Sequence, residues 1–297
     1  MSEKKAIICP NCGKMISNYV DQCPNCGLKN PVGKSKLVKI FGGNQLSFVN
    51  LIIWVNIGIF VLSYFIPFII TGRFLTSQGM FGIPAPSGQA LSLLGWANIN
   101  SLLRHEWWVL VTAIFLDGGP LHIAMNMLWI KNLGPTIENL MSPQKLLIIF
   151  IFSGMLGNFV SVYLPFFFNQ TEFAEYFYLN FGLKISNWPV VGASGAVFGL
   201  MGALISYGYK RKDYWGKHIV RQVGSWAIIL IVIGFLFPAV SNLGHIGGLF
   251  GGLIIGRLIA IQNNYTNRQL YTILSLLAAG VFLYSFLMVS SNIFSRI

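Results

Sequence analysis

Apolar positions in this chain do not recur at the period of an amphipathic helix or a half-buried strand. They gather into blocks at 48–70, 121–141, 146–165, 191–209, 221–237, 242–261 and 270–288. Most of these approach the roughly 20 residues a helix needs to cross about 30 Å of hydrocarbon. The fifth is shorter and is bounded by Arg221 and Pro238, so it is expected to be tilted, loosely held or mobile. Polar stretches carrying Gly and Pro separate the blocks. The longest, 71–120, contains Trp96, Trp107 and Trp108. Such aromatics favour the membrane–water boundary, which predicts a partly helical segment lying on or dipping into one leaflet. A second stretch, 166–190, holds aromatics with Glu172 and Glu175 and is expected at the same boundary.

Composition agrees with this pattern. The chain is 55% hydrophobic and 9% charged, with a mean hydropathy of +0.66, whereas soluble domains carry about 25% charged residues. The net charge of +12 would suggest nucleic acid if it were spread over a soluble surface. Instead the basic residues sort by loop. With a cytoplasmic N-terminus, Lys4, Lys5, Lys14, Lys29, Lys34, Lys36, Lys39, Lys145, Lys210, Arg211, Lys212, Lys217, Arg221 and Arg268 fall inside. Only Arg73, Arg104, Lys184 and Arg296 fall outside, while Lys131 and Arg257 sit within or near the inner ends of spans. This is the positive-inside asymmetry of a multi-pass membrane protein, with the C-terminus outside. It removes the reason to expect a nucleic-acid partner. No apolar core follows the N-terminus, so no cleaved signal peptide is expected.

All four cysteines precede the first block, as Cys9-Pro-Asn-Cys12 and Cys23-Pro-Asn-Cys26, each followed by glycine. Two such turns can place four thiolates tetrahedrally around zinc. A redox pair or an iron site are the alternatives. The stretch resembles a zinc ribbon, a unit with too little core to fold without its metal. A structural zinc held by Cys9, Cys12, Cys23 and Cys26 is the expectation.

Few polar residues lie inside the apolar blocks, and three groups share one depth. Ser194 falls at the outer end of the fourth block and His245 at the outer end of the sixth, because both blocks enter from outside. Their approach is permitted by Gly192, Gly195, Gly199 and Gly202 on one side and Gly244, Gly248, Gly252 and Gly256 on the other. Small residues at three- and four-residue steps let helices pack closely in lipid. The same stripes would serve packing alone, with Ser194 one more small residue. An intramembrane histidine is costly and points more strongly to function. His122 and Asn126 open the second block at a spacing that puts both on one helical face, where they could donate hydrogen bonds to an acyl oxyanion or form a cap or core pair. Glu138, at the inner end of that block, is expected to be a structural anchor, and Asp117 a cap for the helix that follows it. No HExxH stretch or carboxylate cluster suggests a metalloprotease or an aspartyl protease.

Glu106-Trp107-Trp108, His122-xxx-Asn126, Gly192-Ala193-Ser194-Gly195 and His245-xx-Gly248-xxx-Gly252, in this order, make the chain resemble the rhomboid family of intramembrane serine proteases over 48–261. The resemblance implies an all-α polytopic fold, a six-helix bundle with one additional C-terminal transmembrane helix. It divides the chain into a zinc-ribbon-like domain at 1–30, a basic linker at 31–47, a protease core at 48–262 and the extra helix at 263–297. It implies a catalytic dyad of Ser194 and His245, an oxyanion site from His122, Asn126 and the Ser194 N–H, and Phe198 packed on the histidine. No cofactor is expected for catalysis. Implied partners are transmembrane protein substrates, the lipid bilayer of a bacterial cell membrane and a cytosolic partner for the ribbon. The chain departs from the family in having Val109 where Arg often follows the tryptophans and Asp117 where His often stands. A catalytically silent rhomboid-like protein that binds membrane proteins, or a transporter, are the alternatives. The scarcity of intramembrane charge argues against the second.

Overall fold

In the computed structural model, residues 6–9, 15–25, 47–74, 76–79, 82–171, 188–237, 240–259 and 265–294 are described. The chain begins with the hairpin β1 (Ala6–Ile8) and β2 (Met15–Ser17), then α1 (Phe48–Thr71). The segment after α1 holds a second hairpin, β3 (Thr76–Gln78) and β4 (Pro84–Pro86). Three short helices follow: α2 (Gly88–Leu93), α3 (Ile99–Leu103) and α4 (Val109–Thr112), the last continued by a 3₁₀ turn, Ala113–Phe115. Among the described residues the remaining long helices are α5 (Pro120–Leu140), α6 (Pro143–Phe168), α7 (Ser194–Arg211), α8 (Tyr214–Gly234), α9 (Asn242–Ile259) and α10 (Tyr265–Phe294). The partly helical character expected of 71–120 is therefore present, but the β3–β4 ribbon was not legible in its apolar pattern.

By length and composition, α1, α6, α8, α9 and α10 can each cross a membrane, and a sixth span exists if Val109–Phe115 and Pro120–Leu140 count as one, bent by 92°. The sequence pattern predicts seven spans. The difference lies in α7, which is not apolar enough to qualify by itself. Its composition is explained by its position. From Gly195 to Leu204 every residue is buried, and it packs against α9, α6, α8 and α5. A helix enclosed by helices needs small residues where they cross more than it needs a lipid-facing apolar surface. The fifth block also differs from expectation. It forms a 21-residue helix that starts at Tyr214, seven residues before Arg221, because Asp213 caps it by accepting the Gly216 N–H at 2.7 Å. Little of its apolar stretch is buried inside the protein, and it meets the bundle mainly along α7, where Gly208 and Gly216 bring the two backbones together.

Glycine brings α7, α9 and α6 together backbone against backbone. A Cβ on Gly248 would collide with the Gly195 carbonyl, and one on Gly252 with the Gly199 carbonyl. A Cβ on Gly157 of α6 would stand 2.7 Å from the Gly244 oxygen. Hydrogen bonds reinforce the contact: Ser206 Oγ donates to the Leu253 carbonyl at 2.7 Å, and the Ser161 and Ser241 hydroxyls bond to each other. At the far end of α5, Glu138 accepts from Ser47 Oγ at 3.1 Å and from the Val49 N–H at 3.2 Å. It thus occupies the open N-terminus of α1, the anchoring role expected of it.

The segment before α5 is held without the arginine whose place Val109 takes. Asn158 of α6 donates to the Leu110 carbonyl at 2.9 Å, and Thr112 Oγ1 to the Gly95 carbonyl at 2.6 Å. Arg104 pairs with Glu106 at 3.0 Å. Outside these, α10 braces the segment, with Tyr284 stacked on Trp107 at 5.7 Å and Phe282 against Phe115 at 4.7 Å. Of the stretch expected to bind zinc, Cys9 and Cys23 are buried with Ile16 in one small cluster. Cys12, Cys26 and the linker at 31–46 lie outside the described residues, as do 172–187 of the second loop and 238–239 before α9.

Candidate active site

Three helix starts meet at one end of the bundle. Ser194 is the first residue of α7 because the chain before it cannot be helical: Gly192 has φ +126°, in the region that favours glycine. The Gly192 N–H donates to the Ala113 carbonyl at 2.8 Å, which ties this turn to the 3₁₀ segment. His245 stands near the start of α9, whose entry is set by Ser241. Its carbonyl accepts the His245 N–H at 3.1 Å and its hydroxyl accepts the Gly244 N–H at 3.2 Å.

The Nε2 of His245 lies 3.0 Å from Ser194 Oγ. Phe198, one turn along α7, stacks on the imidazole with centroids 4.3 Å apart and planes at 16°. The histidine is buried, and its Nδ1 has no hydrogen-bond partner among the described residues. The pair is therefore a hydroxyl and an imidazole without an acid bonded to the ring. An imidazole at this distance can take a proton from the hydroxyl as the oxygen attacks an electrophile.

His122 and Asn126, on the first turns of α5, reach the same place. A Cβ on Gly192 would lie 2.6 Å from His122 Cε1, 2.9 Å from its Nε2 and 3.6 Å from Asn126 Nδ2. Only glycine leaves these side chains room beside the turn that leads into Ser194. The Gly118 N–H donates to His122 Nδ1 at 3.2 Å, so in the neutral ring Nε2 carries the proton and faces Gly192. The first N–H groups of α7 have no partner within that helix and contribute partial positive charge here. The site thus combines a serine, a base and several donors aimed at one region.

The sequence pattern of the Rhomboid domain matches residues 104–262, more than half of the chain and all four of these side chains. The chain belongs to the rhomboid family. It is 31% identical over 195 residues to the rhomboid protease GluP of Bacillus subtilis, covering 63% of this chain and 34% of that protein. It is 27% identical to the putative rhomboid protease YdcA of the same organism, covering 52% of this chain and 67% of that protein. A third relative, inactive RHOMBOID-like protein 8 of Arabidopsis thaliana, is 26% identical over 60% of this chain and 46% of its own length. The chain spans about a third of the first of these relatives and about half of the last. Membership in the rhomboid family and the apolar helices together make it an integral, multi-pass membrane protein.

Asp117 corrects the sequence reading. It was expected to cap α5, but the residue at that helix start is Gly119, and no side chain caps it. Asp117 instead turns inward, 1% exposed, and accepts from Asn126 Nδ2 at 2.6 Å. Its Oδ1 also lies 3.4 Å from His122 Nδ1. No periodicity links positions 117 and 126. The bend of 92° between Phe115 and Pro120 folds the carboxylate back onto the helix it precedes.

Proposed function

We propose that this chain is a serine-type intramembrane endopeptidase that hydrolyses peptide bonds in or beside transmembrane segments. The observation that carries this reading is the 3.0 Å contact between His245 Nε2 and Ser194 Oγ beside the His122 and Asn126 donors. The same contact favours hydrolysis over a silent membrane-protein-binding role. Relatives named as rhomboid proteases support it as well.

In the reaction, His245 takes the Ser194 proton as Oγ attacks the scissile carbonyl carbon. The oxygen of the tetrahedral intermediate receives hydrogen bonds from His122 Nε2, Asn126 Nδ2 and the Ser194 N–H. The C–N bond then breaks while the imidazolium protonates the leaving amine. Water, deprotonated by His245, attacks the acyl-serine, and the proton returns to Oγ as the acid product leaves. A helical substrate must first free its carbonyl from the helix, so small or helix-breaking residues near the outer interface are the expected cleavage sites. Entry is lateral, past α8, which packs mainly on α7, and the turn before α9.

The distribution of basic residues among the loops supports a cytoplasmic N-terminus and a site at the outer face. A membrane-impermeant fluorophosphonate applied to intact cells should therefore modify Ser194, identified by mass spectrometry of the adduct. Labelling only after the membrane is opened would reverse the orientation, and labelling at no serine in folded protein would overturn the hydrolase reading.

The N-terminal segment is proposed to bind zinc and to receive a cytosolic partner. The fit rests on Cys9 and Cys23, the first cysteines of the two CxxC turns, which are each 1% exposed within one cluster. Thiolates from Cys12 and Cys26, which lie outside the described residues, would complete a Cys₄ set suited to a closed structural site. Elemental analysis of the purified full chain should give about one zinc per chain, lost in Cys9→Ser/Cys23→Ser. Iron in its place, or no metal in protein with all four thiols intact, would refute this.

A further inference from the structure

We infer that Asp117 is a positioning residue for the oxyanion site: its carboxylate fixes the Asn126 amide so that one Nδ2 proton stays directed at the carbonyl bound over Ser194. This rests on the proposed hydrolysis and assigns a role to a side chain outside the Ser194, His245, His122 and Asn126 set.

An asparagine amide can sit in either of two orientations, and only one presents a donor to a developing oxyanion. The reversed amide would present its carbonyl oxygen to negative charge. Asp117 Oδ1 accepts from the amide, so the end of Asn126 that faces Asp117 is the nitrogen. The contact is short, 2.6 Å between Oδ1 and Nδ2, with Asp117 1% and Asn126 4% exposed. One Nδ2 proton is thereby committed. The second leaves the planar group at about 120° to the first, away from Asp117. It is this nitrogen that lies nearest the Gly192 turn, 3.6 Å from where a Cβ there would stand.

The same corner sets the other donor. Gly118, the residue after Asp117, gives its N–H to His122 Nδ1 at 3.2 Å, leaving the His122 proton on Nε2. The link from Leu116 to Gly119 therefore orients both side chains that the mechanism uses as donors. A carboxyl group this deeply buried is costly and is retained only with strong compensation. Its Oδ1 is satisfied by Asn126, while its buried Oδ2 has no hydrogen-bond partner among the described residues, so the Asn126 amide is the contact that holds the carboxyl in place.

The test is a double-mutant cycle on the full chain in liposomes, with kcat and KM measured for a cleavable transmembrane substrate and folded fraction measured alongside. Asp117→Leu should lower kcat by about 10- to 100-fold with KM within about twofold, since the lost interaction acts only in the transition state. Asp117→Asn keeps an acceptor oxygen and should recover at least about tenfold over Asp117→Leu. In an Asn126→Ala background, either substitution should cost less than about threefold, because the group it orients is gone. If Asp117→Leu does not fold, Asp117→Ala, which also removes the acceptor, carries the same comparison. Losses that multiply undiminished in the Asn126→Ala background, or that appear in KM alone, would overturn the inference. A wild-type chain that neither cleaves nor labels would overturn the hydrolysis reading and this inference together, whereas an active wild type with multiplying losses overturns this inference alone.

Discussion

Replacing Ser194 or His245 with alanine should each reduce cleavage by about 10⁴-fold or more, and replacing both should cost no more than the worse of the two. The expectation follows from what each residue does for the other. Without His245 the Ser194 hydroxyl keeps its proton and is a poor nucleophile. Without Ser194 the imidazole has nothing to deprotonate except water, held at the wrong place. Groups that act as one unit show this failure of additivity strongly. The 3.0 Å contact and the Phe198 stack predict that neither substitution unfolds the protein, because Ser194 is the first residue of α7 and the ring is held mainly by its packing. The measurement is initial rate of substrate cleavage in liposomes, with thermal unfolding as a control. The residual rate should remain above that in water, since His122, Asn126 and the α7 N-terminus still stabilise an oxyanion. A His245→Ala chain that retains more than about a tenth of the wild-type rate would remove His245 as the base.

Much of this site was legible because membrane topology does part of the work of tertiary structure. A residue at the outer end of one block must lie near the depth of residues at the outer ends of other blocks. Ser194, His245, His122 and Asn126 could therefore be grouped before any contact was known. Glycine periodicity then named the faces on which α7 and α9 meet. What stayed hidden was set by turns. Asp117 sits two residues before Gly119, which precedes α5, and one after a fully buried Leu116. Its inward direction depends on a 92° bend that no hydrophobic period encodes. Helix α7 starts three residues after the start of the apolar block for the same reason, because Val191 and Gly192 belong to the apolar run but not to the helix. The length of α8 is hidden in the apolar pattern because Gly216, Lys217, His218 and Arg221 interrupt it over the first turns. A cap such as Asp213 begins a helix regardless of hydropathy.

Replacing Gly252 with leucine should destabilise the protein by about 3 kcal/mol or more and abolish Ser194 labelling in whatever fraction remains folded. Overpacking is cheap only when the neighbour is a flexible side chain that can move aside. At Gly252 the atoms that a Cβ would meet are the carbonyl oxygen, carbonyl carbon and Cα of Gly199, all backbone of the facing helix. Neither helix can yield without moving along its length. Gly248, one turn closer to the site, faces Gly195 in the same way, and Gly195 adjoins Ser194. Separating α7 from α9 at Gly252 therefore propagates to the Ser194–His245 contact, where a displacement of about 1 Å is enough to cost two orders of magnitude in rate. Three other glycines provide the contrast. A Cβ on Gly58, Gly224 or Gly280 has nothing within 4 Å. Alanine at Gly58 or Gly280 should leave unfolding temperature and labelling near wild type, since both sit in helix interiors away from the site. The experiment is thermal unfolding in detergent together with the rate of fluorophosphonate labelling per folded molecule. A Gly252→Leu chain that unfolds at the wild-type temperature and labels at the wild-type rate would show that α7 and α9 are not held backbone to backbone, and would remove the packing that brings serine and histidine together.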